Sequence, residues 1–122
     1  MKILFFHPKW TGTYGIFSHF AKSSVMPPLN MAYLASVAER LGHEVMLVDC
    51  ELEDIEPKQL VKICGEFDPH IIGTTATTPT FHYAVKYAEE LKRNFATPIV
   101  LGGSHITVLK DKALLPCFDY GF

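Results

Sequence analysis

The sequence predicts a doubly wound α/β fold, in which a five-stranded parallel sheet carries helices on both faces. Short runs rich in β-branched and aromatic residues alternate with longer amphipathic stretches, which is the pattern of repeated β-α units. The first run, Lys2–Phe6, is apolar on both of its faces, as expected for a parallel strand covered by helices on each side. The chain has 122 residues, 48% of them hydrophobic, so one domain with one packed core is expected.

A long loop separates the first strand, Lys2–Phe6, from the first helix. This loop spans residues 7–26, whereas most connections from strand to helix have about two to six residues, so it is expected to be functional or disordered. Pro27 and Pro28 then favour a helix start, because proline fits the first helical turn. The helix is predicted over about residues 28–41. Its buried face is predicted to carry Leu29, Ala32, Tyr33, Val37 and Leu41.

The remaining elements continue the alternation of strands and helices. They are predicted as a strand at His43–Cys50, a helix at Pro57–Phe67, a strand at Asp68–Thr75, a helix from Thr78 to about Phe95, a strand at Thr97–Gly103, a helix from Ser104 to about Leu115 and half a strand at Cys117–Phe122. In the longest of these helices the predicted buried residues are Ala84, Tyr87, Ala88 and Leu91. Because the chain stops inside the fifth strand, we expect residues 1–122 to be one domain of a longer protein, truncated near strand five.

Composition and charge exclude several classes of partner. The formal net charge is −2, and no basic cluster exceeds a pair, so neither nucleic acid nor an anionic membrane is an expected partner. The apolar start is too short for a signal peptide or a membrane span, which leaves the cytoplasm as the expected location. Cys50, Cys64 and Cys117 are widely spaced, which predicts buried thiols rather than disulfides, a zinc site or the ligands of an iron–sulfur cluster.

Three loops follow the carboxyl ends of the predicted strands, and ligands of such sheets bind at that edge. The candidate site residues are His7, Trp10, Gly12, Tyr14 and Gly15 after strand one, Thr74, Thr75, Thr77 and Thr78 after strand three, and Gly102, Gly103, Ser104 and His105 after strand four. Consecutive glycines allow a flat group to lie on the backbone, and threonine hydroxyls can hydrogen-bond a polar ligand. Taken singly, the glycines could form a tight turn and the threonines could cap a helix. Together on one edge, the three loops favour a ligand site.

Familiar ligand motifs of doubly wound folds are missing from these loops. The sequence has neither the G-x-G-x-x-G of dinucleotide sites nor a phosphate-binding G-x-x-x-x-G-K-[ST]. Strand three ends in Thr74-Thr75 instead of a phosphoacceptor aspartate. Asp49, at the end of strand two, could bind a ribose or could be an ordinary polar strand end. No histidine has a partner at metal-ligand spacing, so no metal-binding residue is predicted.

Four segments together resemble one known family. They are "PPLNMAYLASVAERLGHEVMLVDC", "DPHIIGTTATTPTF", "TPIVLGGSHIT" and "DYGF", which between them span nearly the whole chain. In this order they are similar to the amino-terminal cobalamin (B12)-binding domain found ahead of the catalytic barrel in many B12-dependent radical SAM enzymes. The resemblance implies a Rossmann-like or flavodoxin-like sheet whose carboxyl edge holds the corrin ring of cobalamin.

The resemblance also implies roles for the loop residues. Thr74, Thr75 and Thr78 would line a pocket for the nucleotide tail of cobalamin, and Gly102-Gly103 would make room for it, with Ser104 and His105 nearby. The strand-one loop would lie against the lower face of the ring. There the sequence departs from the Asp-x-His-x-x-Gly pattern, in which the histidine binds cobalt. We therefore expect neither His7 nor His19 to coordinate cobalt, a departure that resembles the radical SAM branch.

The function implied is that of a cobalamin-binding module. The parent protein would resemble a radical SAM methyltransferase, with S-adenosylmethionine and a 4Fe-4S cluster in a downstream domain that is this chain's partner. The chain alone is not expected to be catalytic. One alternative is a domain of the same fold that has lost the corrin and serves as a docking or structural unit, which the aromatic loop residues Trp10, Tyr14, Phe17 and Phe20 would favour. Another is a nucleotide-binding α/β domain.

Overall fold

The structure of the chain, a computed structural model, describes residues 1–17 and 27–122, without the side chains of Tyr14 and Phe17. The strands are β1 (Lys2–His7), β2 (Glu44–Asp49), β3 (Ile71–Thr75), β4 (Ile99–Gly102) and β5 (Tyr120–Gly121). The helices are α1 (Leu29–Arg40), α2 (Pro57–Phe67), α3 (Phe81–Asn94) and α4 (Ser104–Leu109). Short 3₁₀ helices occupy Thr11–Phe17, Thr78–Thr80 and Lys110–Ala113. His19 and Phe20, named above for cobalt and for docking, lie outside the described residues.

The five strands form a parallel sheet in the order β2-β1-β3-β4-β5. The predicted fold class is therefore confirmed. The chain moves outward in one direction from β1 to β2 and then in the other direction from β3 onward, so the strand order reverses between β1 and β3. Ligands of open α/β sheets bind at such a switch point. The register brings the strand ends together there, because His7 pairs with Asp49 and Thr75 with Gly102.

The main core lies between the sheet and the helices α2 and α3. The predicted buried face of α3 is confirmed, since Ala84, Tyr87, Ala88 and Leu91 are all buried. Tyr87 also donates a hydrogen bond from its hydroxyl to the carbonyl oxygen of Ile55, at 2.6 Å, which satisfies its one buried polar group. None of the helices in the described ranges has the length and apolar character that crossing a membrane requires.

The predicted buried face of α1 is wrong. Most of that face is exposed, with exposed fractions of 67% for Leu29, 72% for Tyr33, 39% for Val37 and 72% for Leu41. The residues that face the sheet are Met31, Ala35 and Ala38. Apolar side chains lie all around this helix, so periodicity alone does not select one face. The alanine face allows the helix backbone to approach β1 and β2 closely.

Two other element boundaries differ from the prediction. α4 ends at Leu109, well before the predicted end near Leu115, because Lys110 adopts a φ of +51° that a helix cannot continue through. β5 has only two residues, Tyr120–Gly121, because the preceding chain forms a turn in which Phe118 donates its N–H to the carbonyl oxygen of Leu115 at 2.9 Å.

Candidate functional site

Two adjoining cavities lie beside β1 and β3, one at the carboxyl ends of these strands and one over a face of the sheet. The first, here called the edge cavity, has a volume of about 560 Å³ and is lined by His7, Pro8, Trp10, Asn30, Thr75 and Thr77 among others. The second, here called the face cavity, has a volume of about 420 Å³ and is lined by Phe5, Leu34, Gly73, Val100, Gly102 and Phe122 among others. Both have Asn30 and Thr75 in their lining. Both volumes fall within the range of small-molecule sites.

The face cavity exists because α1 covers only part of one face of the sheet. α1 packs over β1 and β2, and the same face of β3 and β4 lies open beside it. Gly73 lets the ring of Phe5, which lines this cavity, pack against β3, since a Cβ at this position would lie 2.6 Å from that ring. Gly73 and Asn30 were not among the site residues predicted from the sequence. An isolated glycine inside a strand is a signal of close approach that could have identified Gly73.

The segment at and after the end of β3, residues 74–80, is here called the threonine loop. Some of its side chains form hydrogen bonds within the protein, and others lie in the lining of the cavities. The hydroxyl of Thr74, 4% exposed, donates to the carbonyl oxygen of Phe6 at 3.0 Å and so ties β3 to β1. Thr77 and Thr80 bond to each other through their hydroxyls at 3.0 Å, and the Thr77 N–H donates to the Thr80 hydroxyl at 3.1 Å. This is the capping arrangement that the sequence left open. The hydroxyl of Thr75 has no hydrogen-bond partner within the described residues and lies in the lining of both cavities.

The two glycines after β4 differ in what they do. Gly103 has a φ of +98°, and a Cβ there would lie 2.5 Å from the Thr75 hydroxyl oxygen, so this glycine is required by the tight turn itself. A Cβ on Gly102 would meet its nearest neighbour, the carbonyl oxygen of Thr74, at an ordinary 3.6 Å. Gly102 also lines the face cavity. Its missing side chain therefore leaves space in the cavity.

Beyond the turn, Ser104 is exposed and His105 is buried. The ring of His105 stacks on Phe81 with ring centres 4.0 Å apart, and its Nδ1 lies 3.1 Å from the hydroxyl of Thr78. The lining of the two cavities does not include Ser104, His105 or Thr78. The contact between His105 and Thr78 thus links α4 to the threonine loop outside the lining of the two cavities.

The loop after β1 places Trp10 in the lining of the edge cavity. Gly12 packs against the Tyr83 hydroxyl of α3, so closely that a Cβ there would overlap it. Gly15 has a φ of +53° and no atom near its missing side chain, so its role in the described structure is conformational. The side chain of Tyr14 lies outside the described residues.

His7 is in the lining of the edge cavity and has one buried, unsatisfied ring nitrogen. Its Nδ1 is buried with no hydrogen-bond partner among the described residues, 3.8 Å from the Oδ1 of Asp49. Burial lowers the pKa of His7, although the nearby carboxylates of Asp49 and Glu51 oppose this shift. The imidazole is therefore neutral at neutral pH. Asp49 accepts the backbone N–H groups of Glu51 at 3.1 Å and Leu52 at 3.2 Å, as a polar strand end does.

The three cysteines are buried, as predicted. Burial raises the pKa of Cys50 to about 12 and the pKa values of Cys64 and Cys117 to about 11, so the thiols are protonated at neutral pH. Within the described ranges, no three His, Cys, Asp or Glu side chains are grouped closely enough to hold a metal ion.

Solved structures of one enzyme share this fold. They are of the radical S-adenosylmethionine methyltransferase TsrM from Kitasatospora setae, one with tryptophan substrate and a SAM analog bound and one with cobalamin and a 4Fe-4S cluster bound. Each matches with a TM-score of 0.74 at 17% sequence identity, over 93% of this chain and 21% or 20% of the TsrM chain. At that identity the likeness concerns the fold.

Two longer proteins are similar to the chain in sequence. The chain is 38% identical over 96 residues, 76% of its length, to "Uncharacterized methyltransferase PH0819" of Pyrococcus horikoshii. It is 30% identical over 121 residues to the anaerobic magnesium-protoporphyrin IX monomethyl ester cyclase of Cereibacter sphaeroides. The chain spans 21% and 18% of the lengths of these relatives. Residues 22–122 match the family model of the B12 binding domain, and the chain therefore belongs to the B12-binding domain family, as its resemblance predicted.

Proposed function

We propose that this chain is a cobalamin-binding module that holds the corrin ring at the edge cavity and the nucleotide tail in the face cavity. The observation that carries the proposal is the pair of adjoining cavities at the switch point of a B12-binding family domain. One cavity alone would suit a small ligand. Two, connected through Asn30 and Thr75, suit a ligand with two chemically different parts.

The lining of the cavities fits those two parts. The corrin ring carries amide groups around its rim, and the edge cavity offers polar side chains that can bond them, among them Asn30, Thr75 and Thr77. The tail ends in a flat, mostly apolar benzimidazole. The face cavity is lined chiefly by apolar side chains, and Gly102 leaves room there for a flat ring against the sheet.

The predicted site residues divide into two groups under this proposal. Those that line a cavity would contact the cofactor, namely His7, Trp10, Thr74, Thr75, Thr77, Gly102 and Gly103. The others would shape the loops, as Gly12 does against Tyr83 and Thr78 does with His105. His7 would act as a hydrogen-bonding group at the ring edge and not as a cobalt ligand, because the Asp-x-His-x-x-Gly motif is missing.

Bound cobalamin would supply methyl-transfer or related radical chemistry, while the chain's own residues bind, orient and shield it. The relatives are named as a methyltransferase and a cyclase, and the fold matches a radical SAM methyltransferase. We propose that the parent polypeptide is a cytoplasmic B12-dependent radical SAM enzyme. Its S-adenosylmethionine and 4Fe-4S cluster would be held by a downstream domain, since this chain spans about a fifth of its relatives' length.

The exposed side of α1 supports a contact with that remaining polypeptide. Leu29, Tyr33, Val37 and Leu41 form an exposed apolar stripe at i, i+4 spacing, and Leu29 also lines the edge cavity. One side of a single three-turn helix is too small for a stable dimer, which buries about 800 Å² on each partner. A tethered domain needs less area, because its local concentration is high. A Leu41→Cys thiol should react freely with thiol reagents in this chain and be protected in the full-length polypeptide; equal reactivity in both would contradict the contact.

Titration with hydroxocobalamin tests the binding proposal directly. We expect a shift in the visible spectrum of the cofactor on binding, and protein that remains coloured after gel filtration. A chain that is folded by circular dichroism but neither shifts the spectrum nor retains colour would refute the proposal. In that case the corrin-free docking unit would be the better interpretation.

A further inference from the structure

A buried carboxylate holds the start of the loop after β1. Glu51 follows β2 and is only 8% exposed. Its Oε2 accepts the backbone N–H of Trp10 at 2.7 Å and that of Thr11 at 3.0 Å, and its Oε1 accepts the Thr11 hydroxyl at 2.6 Å. These N–H groups stand at the beginning of the 3₁₀ helix Thr11–Phe17, where backbone donors have no partner within the helix itself. Glu51, which follows β2, supplies the acceptor for these N–H groups.

Other contacts join the same two loops, but they are weaker. Lys9 pairs with Asp54 at 2.7 Å and with Glu56, whose carboxylates are 80% and 57% exposed. Exposed ion pairs of this kind contribute little to stability. The backbone N–H of Cys50 donates to the carbonyl oxygen of His7 at 3.0 Å, which only continues the ladder of β1 and β2. The hydrogen bonds to Glu51 are charge-assisted and buried, and such bonds are the strong ones.

This carboxylate acts on the edge cavity through Trp10. Glu51 is not among the residues that line the cavity, but Trp10 is, and Glu51 accepts the Trp10 backbone N–H. Without that bond, Trp10 and the residues after it would have to be ordered each time the cofactor binds. Ordering a loop on binding lowers affinity, whereas a loop that is already in place does not carry that cost.

We propose that Glu51 is a positioning residue for the cofactor, which keeps the Trp10 loop in its binding geometry before cobalamin arrives. The inference rests on the proposed function. It adds Glu51, which is not among the residues predicted from the sequence, to the cobalamin site. It also predicts that loss of the carboxylate weakens binding more than it weakens the fold.

The test uses Trp10 as its reporter, because it is the only tryptophan in the chain. Glu51→Gln keeps the size of the side chain and removes its charge. Without cofactor, we expect Trp10 fluorescence in this variant to be quenched more strongly by acrylamide than in the wild type. With hydroxocobalamin, we expect the Kd to rise by about 10- to 100-fold, the range for losing a hydrogen bond to a charged group.

Three further variants separate positioning from general stability. Glu53→Gln makes the same charge change at an exposed neighbouring position and should alter neither readout. Ile99→Val loosens the core at the far end of β4 and should lower the urea midpoint with no change in Kd. Thr11→Val removes only the hydroxyl donor at 2.6 Å and should give a smaller rise in Kd than Glu51→Gln. If Glu51→Gln does not fold, the Thr11→Val result decides.

The possible outcomes are distinguishable. If the wild type binds hydroxocobalamin and Glu51→Gln binds it with the same Kd, the positioning role is overturned and the proposed function remains intact. If Glu51→Gln does not fold, an unchanged Kd in Thr11→Val has the same meaning. A rise in Kd that Ile99→Val reproduces also overturns the positioning role, because stability alone would then explain the effect. If the wild type itself does not bind hydroxocobalamin, the proposed function fails and the inference fails with it.

Discussion

Gly102→Val is the substitution that most sharply separates the cofactor cavity from the fold. A Cβ at Gly102 has 3.6 Å to its nearest neighbour, and the residue lies in β4, where a β-branched side chain is favoured. The variant should therefore fold. The valine methyl groups would extend into the face cavity of about 420 Å³, where we propose the tail lies. Overpacking of this kind costs about 1–3 kcal/mol, which corresponds to about 5- to 150-fold weaker binding.

The assay is a hydroxocobalamin titration in the visible range, with urea unfolding as the measure of stability. Gly65→Ala is the matched control, since its Cβ would also meet an ordinary contact, at 3.6 Å from Phe95, but on α2 away from both cavities. It should raise stability by about 0.5–1 kcal/mol, as alanine does in place of glycine within a helix, and leave the Kd unchanged. A Gly102→Val variant that folds and binds with the wild-type Kd would refute the placement of the tail.

Three further predictions concern the fold itself. Tyr33→Ser should change the free energy of unfolding by less than about 0.5 kcal/mol, because the side chain is 72% exposed. Ala35→Leu should lower that free energy by about 1–3 kcal/mol, because the larger side chain overpacks against the sheet. Urea melts that rank the two variants the other way would contradict the observed face of α1. Burial raises the pKa of Asp119, but the Lys92 ammonium at 2.7 Å and the Ile99 N–H outweigh it and hold that pKa below its usual value, so its contribution to stability is present at higher pH and is lost as the pH falls through the folded-state pKa. Asp119→Asn should therefore flatten the acid limb of a stability-against-pH curve, and an unchanged limb would be evidence against this ion pair. The three buried thiols should react slowly with a thiol reagent in the native chain and fast in urea, and fast native reaction would show that they are not protected.

The sequence predicted well those parts of the fold in which the pattern of apolar residues fits only one kind of element or one buried face. β1 and α3 are examples, because Ile3–Phe6 is apolar throughout and the apolar stripe of α3 is bordered by charged residues. α1 shows the opposite case. Its apolar residues surround the helix, so the buried face was decided by packing, in which Ala35 and Ala38 approach the sheet.

The sequence predicted which edge of the sheet carries the candidate site, but not the role of each residue there. Strand-end loops indicated where the edge cavity lies, since parallel strands place their carboxyl ends together. The sequence could not show that Gly103 serves the turn while Gly102 serves the cavity, because that depends on a φ value and on neighbouring atoms. It also could not reveal Glu51, whose three hydrogen-bond donors come from about 40 residues earlier in the chain.

The most direct test of the central claim compares cobalamin with cobinamide, the same corrin without its nucleotide tail. Equilibrium dialysis of the chain against each would measure how much of the affinity comes from the tail. If the face cavity holds the tail, cobalamin should bind at least about tenfold more tightly than cobinamide, as burial of a flat apolar ring implies. Equal affinities, or no binding of either, would contradict the account.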